Sequence, residues 1–109
     1  MNYEFRKKPI VIEAFQMTKE RRGDNSEWPN WLNKAWNTDF SKPGAVSCED
    51  YPESKGNDRL VIQTLEGPLS VSWNDFIIRG VKGELYPCKP DIFQNTYEEV
   101  ENTIEDDGK

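Results

Sequence analysis

The first third of the chain changes from a strand-like to a helix-like pattern of apolar positions. Residues 9–16, PIVIEAFQ, are β-branched and apolar, which predicts a strand buried on much of both faces. Residues 18–25 are polar and charged and predict a loop. The next segment has apolar side chains at i, i+3, i+4, i+7 and i+8, the spacing of one helical face. These residues are Trp28, Trp31, Leu32, Ala35 and Trp36.

This predicted helix has a start signal and an aromatic face. Ser26 can cap its first turn, and Pro29 is tolerated there because the first amide groups of a helix have no intrahelical partner. The tryptophans on this face could stack a ligand, but we favour core packing because each indole buries about 200 Å².

The second half of the chain predicts short strands separated by tight turns. Glu66 and Gly67 indicate the turn of a β-hairpin. Gly80 and Gly83 indicate a second tight turn with positive φ angles. The strand-like segments are residues 45–48, 59–65, 68–72, 76–79 and 84–87.

The last predicted element is a second helix that packs on the sheet. Pro90 suits its first position, and Asp91 suits the positive end of the helix dipole. The whole pattern predicts an α+β fold, with a mostly antiparallel sheet of five to six strands packed against two helices. We expect one domain over residues 1–100 and a frayed acidic tail over residues 101–109. The stripe of this helix is Ile92, Phe93, Thr96, Tyr97 and Val100.

Negative charge is concentrated at the C-terminal end. The chain of 109 residues has a net charge of −6. Residues 97–109 hold six acids against Lys109, a net −5, while residues 1–96 hold 13 basic and 14 acidic side chains, a net −1. Duplex DNA and anionic membranes require clustered Lys and Arg, so neither is an expected partner. No apolar run of about 18 residues and no signal peptide are recognisable, which predicts a cytoplasmic protein.

The absence of histidine restricts the available chemistry. It excludes Ser-His-Asp and Cys-His nucleophilic sites, and it removes the commonest nitrogen ligand of zinc. Cys48 and Cys88 belong to no C-x-x-C pair and are predicted to be reduced thiols. No glycine-rich phosphate loop is present in the sequence. We therefore predict a binding protein rather than an enzyme, with no catalytic residue, metal or cofactor.

Four carboxylates lie near apolar segments. We interpret Glu13 as outward-facing or paired with an arginine, Asp75 as the end of a capping box, and Asp91 as a helix-start residue. Glu84 stays open as a functional candidate because it begins a strand beside Lys82. No spacing places two carboxylates opposite each other, as a hydrolytic pair would require.

Residues 76–90 form a locally basic segment in an acidic protein. Arg79, Lys82 and Lys89 against Glu84 give a net charge of +2. Such cations can hold a phosphate by charge-assisted hydrogen bonds, and neighbouring aromatic faces can stack a base. The alternative is that Arg79 and Lys82 are ordinary outward-facing residues of a hairpin.

The run DFIIRGVKGELYPCKPDIF at residues 75–93, continuing to TYE at 96–98, resembles a signature of small phage and prophage proteins. Those proteins also tend to begin with a stretch similar to RKKPIVIEA, here residues 6–14, and to carry a helix similar to WPNWL, here residues 28–32. Residues 38–60 lie outside the resemblance. The family is similar to phage Thoeris anti-defence sponges, which bind cyclic ADP-ribose signals and keep a bacterial immune effector silent.

This resemblance implies a homo-oligomeric, non-catalytic protein that sequesters a nucleotide immune signal, either cyclic ADP-ribose-like or a cyclic oligonucleotide. It implies a ligand held between protomers, where aromatic stacking and arginine–phosphate contacts are natural. The ligand-binding residues are predicted from side-chain chemistry alone. They are Arg79 and Lys82 for phosphate, Trp73 or Phe76 for stacking, Asn74 for a base or ribose edge, and Arg59 as a second cation.

Other functions remain open on the sequence. The protein could be a phage inhibitor that binds a host protein directly through its surface or its acidic tail. A structural virion component has little support because the chain lacks repeats, and nucleotide hydrolysis has little support because no catalytic pair is recognisable.

Overall fold

The computed structural model describes residues 3–5 and 8–100, and the predicted acidic tail at 101–109 lies outside them. The described part contains six strands and three α-helices, which confirms the α+β class and the antiparallel pairing. It differs from the prediction in having two three-stranded sheets and a third helix. The elements are β1 (Glu13–Gln16), α1 (Lys19–Gly23), a 3₁₀ helix (Asn25–Glu27), α2 (Asn30–Trp36), β2 (Val46–Cys48), β3 (Leu60–Thr64), β4 (Gly67–Ser70), β5 (Phe76–Arg79), β6 (Leu85–Cys88) and α3 (Pro90–Thr96).

The two sheets are antiparallel and meet along β6. The first sheet has the order β1-β5-β6, and the second has the order β2-β3-β4. Glu13 lies opposite Arg79 in the first sheet, and Ile62 lies opposite Leu69 in the second. Strand β6 lies against β3 and β4, which brings the ends of the β3–β4 and β5–β6 hairpins into one region.

The hydrophobic core receives side chains from both sheets and from α2. Leu32, Leu60, Ile62 and Ile77 are fully buried, and each contributes roughly 1.5–3 kcal/mol. The predicted core role of the tryptophan stripe is confirmed. Its members that belong to the core or pack directly against it are Trp28, Trp31, Leu32, Ala35 and Trp36.

The N-terminal strand is shorter than predicted. Only Glu13–Gln16 pairs with β5, while residues 9–12 form no strand, and Ile10 and Val11 are exposed. The prediction of a strand buried on both faces was wrong there because β5 ends at Arg79. Residues before Glu13 therefore extend beyond their potential partner.

The predicted loop at residues 18–25 is mostly helical. Helix α1 spans Lys19–Gly23, and the Thr18 hydroxyl caps it by accepting a hydrogen bond from the Arg21 N–H at 3.1 Å. The polar sequence hid this helix because its buried side chain is Arg22, which is stabilised by a distant partner, Asp58.

The tryptophan helix starts later than predicted. Helix α2 begins at Asn30 with Pro29 as its N-cap, whereas Ser26 lies in the preceding 3₁₀ helix. The Ser26 N–H donates to the Asp24 carboxylate at 3.0 Å, so Asp24 is the capping residue of that turn. Trp28 lies between the 3₁₀ helix and α2, and its indole N–H donates to the Arg21 carbonyl of α1 at 2.6 Å.

A buried ionic network holds the long segment between β2 and β3. The Arg22 guanidinium donates to the Asp58 carboxylate and to the Asp58 carbonyl, both at 2.8 Å. The Ser54 hydroxyl and the Asp50 N–H donate to the same carboxylate at 2.6 and 2.7 Å, and Arg22 lies over the Trp36 ring. Burial raises the pKa of Asp58, but these hydrogen bonds outweigh it and hold the pKa well below its usual range.

Strand pairing refines one turn prediction, and backbone angles refine another. Thr64 pairs with Gly67, so Leu65 and Glu66 form the hairpin turn, one position earlier than predicted. Gly83 has the predicted positive φ of 85°, but Gly80 does not have a positive φ.

The last helix is confirmed, with Pro90 in its first turn, but it covers little of the sheet. Phe93 stacks on Phe76 at 3.9 Å with an interplanar angle of 8°, and Tyr97 lies 5.1 Å from Phe93. Ile92 is exposed. The contact of α3 with the sheet therefore depends on the stacking of Phe93 on Phe76 rather than on the whole predicted stripe.

Candidate functional site

Two open grooves lie on either side of the β5–β6 turn. The hairpin groove, about 500 Å³, is formed by the β3–β4 and β5–β6 turns and is lined by residues 43–44, 63–66, 69 and 82–86. The terminal groove, about 720 Å³, is lined by residues 8–12, 80–81, 84, 86, 94–98 and 100. Both volumes fall within the roughly 300–1,000 Å³ of small-molecule sites.

The turn between the grooves is fixed by Glu84. The Gly80 N–H donates to the Glu84 carbonyl at 2.8 Å, and the Lys82 N–H donates to the Glu84 carboxylate at 3.0 Å. A methyl group on Gly80 would overlap the Glu84 carboxylate, so a larger residue there would displace this exposed side chain from the Lys82 N–H. This geometry leaves the Lys82 side chain exposed at the hairpin groove.

Tyr86 lines both grooves from strand β6. Burial, a hydrogen bond with Tyr97 and the charge of Glu84 raise the pKa of Tyr86 to about 12. Its hydroxyl is therefore protonated at neutral pH and can donate a hydrogen bond, but it cannot act as a base there.

The hairpin groove combines one cation, two acids and apolar surface. Lys82 can bind an anionic group, while Glu66 and Glu84 can accept hydrogen bonds from hydroxyl or amino groups. Leu65 and Leu69 are exposed beside them and offer apolar contact. This set fits a ligand with an anionic end, hydroxyl groups and a flat apolar part.

Arg79, a predicted phosphate ligand, is paired across the first sheet with Glu13 at 3.0 Å. The prediction that Glu13 either faces outward or pairs with an arginine is thereby confirmed. The pair is exposed, so it is worth only about 0.2–1 kcal/mol and could be exchanged for a phosphate contact. Arg79 and Phe76 are three positions apart in β5 and therefore project to opposite faces of the sheet.

The two predicted stacking residues have different neighbours. Phe76 already stacks on Phe93, whereas Trp73 is half-buried with the Lys19 ammonium 5.8 Å from its ring centre. Asn74 is exposed in a left-handed conformation with a φ of 74°, and its N–H donates to the Met17 carbonyl at 2.7 Å. These residues cluster at the start of β5, at the end of the strand opposite to Arg79.

The remaining predicted cation lies just before strand β3 of the second sheet. Arg59 is paired with Glu49, with its Nη2 2.9 Å from the carboxylate. Of the predicted ligand-binding residues only Lys82 lines either groove, and the binding roles of the others stay predictions.

Further groove residues were not singled out by the sequence. Tyr86, Leu65, Glu66 and Leu69 reach the hairpin groove because β6 lies against β3 and β4. No local motif marks them, since the groove is built from turns far apart in the chain. Apart from Lys82, the groove residue that the sequence does indicate as a functional candidate is Glu84, because it begins a predicted strand beside Lys82.

Potential metal ligands and thiols are dispersed in the described part of the chain. Within residues 3–5 and 8–100 there is no group of three or more Cys, Asp or Glu side chains that could hold a metal ion. Cys48 and Cys88 are free thiols, and burial together with the charges of Asp75 and Asp91 raises the pKa of Cys88. No helix in this part of the chain is long and apolar enough to cross a membrane.

Comparison with protein-family models, curated proteins and solved structures found no match to this chain.

Proposed function

We propose that the protein is a phage-encoded, non-catalytic binding protein that sequesters a nucleotide immune signal in the host cytoplasm and so inhibits anti-phage defence. The observation that carries the proposal is the hairpin groove of about 500 Å³, whose lining includes Lys82, Glu66, Glu84 and Tyr86. A cyclic ADP-ribose-like molecule or a cyclic oligonucleotide offers matching phosphate, ribose and base groups.

Each part of such a ligand has a partner of suitable chemistry in the groove. The Lys82 ammonium suits a phosphate oxygen, and the Glu66 and Glu84 carboxylates suit ribose hydroxyls or a base amino group. Leu65 and Tyr86 offer apolar and aromatic surface to a base. The two carboxylates disfavour a bare inorganic phosphate, which should therefore bind more weakly than a nucleoside phosphate.

The raised pKa of Tyr86 is compatible with a binding role. Its phenol stays protonated at neutral pH and can donate a hydrogen bond to a phosphate or ribose oxygen. Sequestration itself needs no proton transfer.

The first test is mass spectrometry of small molecules released by heat from the full chain after incubation with lysate of signal-producing cells. Recovery of an intact nucleotide supports sequestration, and recovery of a product of new mass would instead establish an enzyme. Calorimetric titration of the recovered nucleotide then compares Lys82→Ala with Lys89→Ala, an exposed lysine outside the hairpin groove. We expect at least tenfold weaker binding for Lys82→Ala only, the loss of about 1.4 kcal/mol of a charge-assisted contact.

Arg79→Ala distinguishes the hairpin groove from a site at the Arg79 end of strand β5. Loss of binding with Arg79→Ala but not with Lys82→Ala would reject the hairpin groove and favour that other site. If no small molecule is recovered from folded protein, the alternative is direct inhibition of a host protein. Truncation after residue 100 tests the tail in that role, since a sponge keeps its ligand and a tail-dependent inhibitor does not act.

A further inference from the structure

One cation and two acids give the lining of the hairpin groove a net charge of −1. These charged side chains are Lys82, Glu66 and Glu84, and all three are exposed. Of the described residues, no other charged side chain lines this groove. A site for phosphate alone is expected to have an excess of Arg or Lys, because cations make strong charge-assisted contacts with phosphate oxygens. The excess of carboxylates therefore indicates a further property of the bound molecule.

Neither carboxylate is neutralised by a cation of the fold. Within residues 3–5 and 8–100, neither Glu66 nor Glu84 takes part in an ion pair. The Glu84 carboxylate accepts a hydrogen bond from the Lys82 N–H at 3.0 Å. An ionised carboxylate has about four lone-pair sites, so this contact leaves it able to accept further hydrogen bonds. Both side chains can therefore interact with positive charge on a bound molecule.

The two carboxylates reach the groove from different turns. Glu66 lies in the β3–β4 turn, and Glu84 lies just before β6. The packing of β6 against β3 and β4 brings both to one groove, which is also lined by the half-buried Tyr86. The face of an aromatic ring attracts cations. A positively charged group in this groove would thus have two carboxylates and an aromatic ring as neighbours.

We infer that the hairpin groove selects nucleotides whose base carries a positive charge, with the phosphate on Lys82 and the cationic ring beside Glu66, Glu84 and Tyr86. This inference rests on the proposed function and specifies the class of nucleotide. Once Lys82 binds the phosphate, a neutral base would partly desolvate both carboxylates without supplying a counter-charge. A cationic ring supplies that charge, whereas several phosphates with neutral bases would add to the negative charge of the groove.

The expected selectivity is moderate because the charged groups are exposed to solvent. Exposed ion pairs are individually weak, so two of them should favour a cationic base by about three- to tenfold in Kd. Salt screens exposed charges, so this preference should decrease as the salt concentration is raised.

Nicotinamide mononucleotide and its reduced form are a matched pair of probes. They share the phosphate, the ribose and the carboxamide, but the oxidised ring is a cationic pyridinium and the reduced ring is a neutral dihydropyridine. Calorimetric titration of the full chain with each form gives the ratio of the two Kd values. We expect the oxidised form to bind about three- to tenfold more tightly. Equal affinity, or tighter binding of the reduced form, would overturn the inference and leave the proposed function in place.

Glutamine substitutions identify the groups responsible for the preference. Glu66→Gln combined with Glu84→Gln should bring the ratio close to one, while the glutamine oxygen at position 84 can still accept from the Lys82 N–H. Glu53→Gln is the matched control and should keep the ratio, because Glu53 is exposed and does not line the groove. Lys82→Ala should weaken both forms by a similar factor, because both carry the same phosphate.

Two further results would count against the inference. A preference for the oxidised form that persists in the double glutamine variant would overturn it, because the carboxylates would not be its source. Binding of neither form by the folded wild-type chain would overturn it together with the nucleotide-binding role of the groove on which it rests.

Discussion

Asp58→Ala should be the most damaging single substitution among the ionic contacts. The Asp58 carboxylate accepts from the Arg22 guanidinium at 2.8 Å, from the Ser54 hydroxyl at 2.6 Å and from the Asp50 N–H at 2.7 Å. The substitution removes all three contacts and leaves the guanidinium, whose side chain is only 7% exposed, without its counter-charge. Breaking one partner of a buried pair costs about 3–5 kcal/mol, so we expect a loss of this size in the free energy of unfolding.

Urea unfolding followed by tryptophan fluorescence measures this loss, since Trp36 lies beside Arg22. Arg22→Met should also be strongly destabilising, and the double variant with Asp58→Ala should lose less than the sum of the two by roughly 0.5–3 kcal/mol. Arg79→Met, which breaks the exposed pair with Glu13, is the control and should cost about 1 kcal/mol or less. A loss below about 1 kcal/mol for Asp58→Ala, or strict additivity in the double variant, would show that Arg22 and Asp58 do not stabilise the fold as a buried ion pair.

Further predictions concern pH, the β5–β6 turn and α3. Because the folded-state pKa of Asp58 lies below the unfolded value of about 3.9, its stabilisation is present above about pH 4 and is lost as the pH falls toward the folded pKa. Asp58→Asn should flatten this acid dependence in unfolding titrations. Gly80→Ala should cost about 1 kcal/mol by displacing the Glu84 carboxylate from the Lys82 N–H, and because Glu84→Ala removes the same contact, the double variant should lose little more than Glu84→Ala alone. Phe93→Ala should cost about 1–2 kcal/mol and speed amide exchange selectively in α3, because its stacking on Phe76 would be lost. Exchange rates in α3 that are the same in the variant and the wild-type chain would contradict this role.

Local patterns predicted the elements whose stability comes from their own apolar spacing. Strand β5 occupies residues 76–79 as predicted, and the tryptophan stripe packs at the core. Pro90 marks the start of α3 because its fixed φ and missing N–H suit the first helical turn. In each case the physical signal lies within a few positions of the residue concerned.

The elements that the sequence did not predict depend on distant partners. Helix α1 is polar throughout, and its buried Arg22 is stabilised by Asp58, which lies 36 positions away. Residues 9–12 have the composition of a strand, but they remain outside the sheet because their potential partner ends at Arg79. Hydrophobic spacing contains no information about where a neighbouring strand stops.

The candidate site likewise combines features that local sequence predicts with features that depend on long-range packing. Composition and local spacing show that the chain has no histidine and predict Lys82 in a glycine-containing turn between two strands. Local spacing does not reveal that this turn faces the β3–β4 turn, since that arrangement follows from the packing of β6 against β3 and β4. The same packing leaves Arg59 and Arg79 outside both grooves, each in an exposed pair with a glutamate. Charge and side-chain chemistry are properties of single positions, whereas a groove is a property of the contacts between segments far apart in the chain.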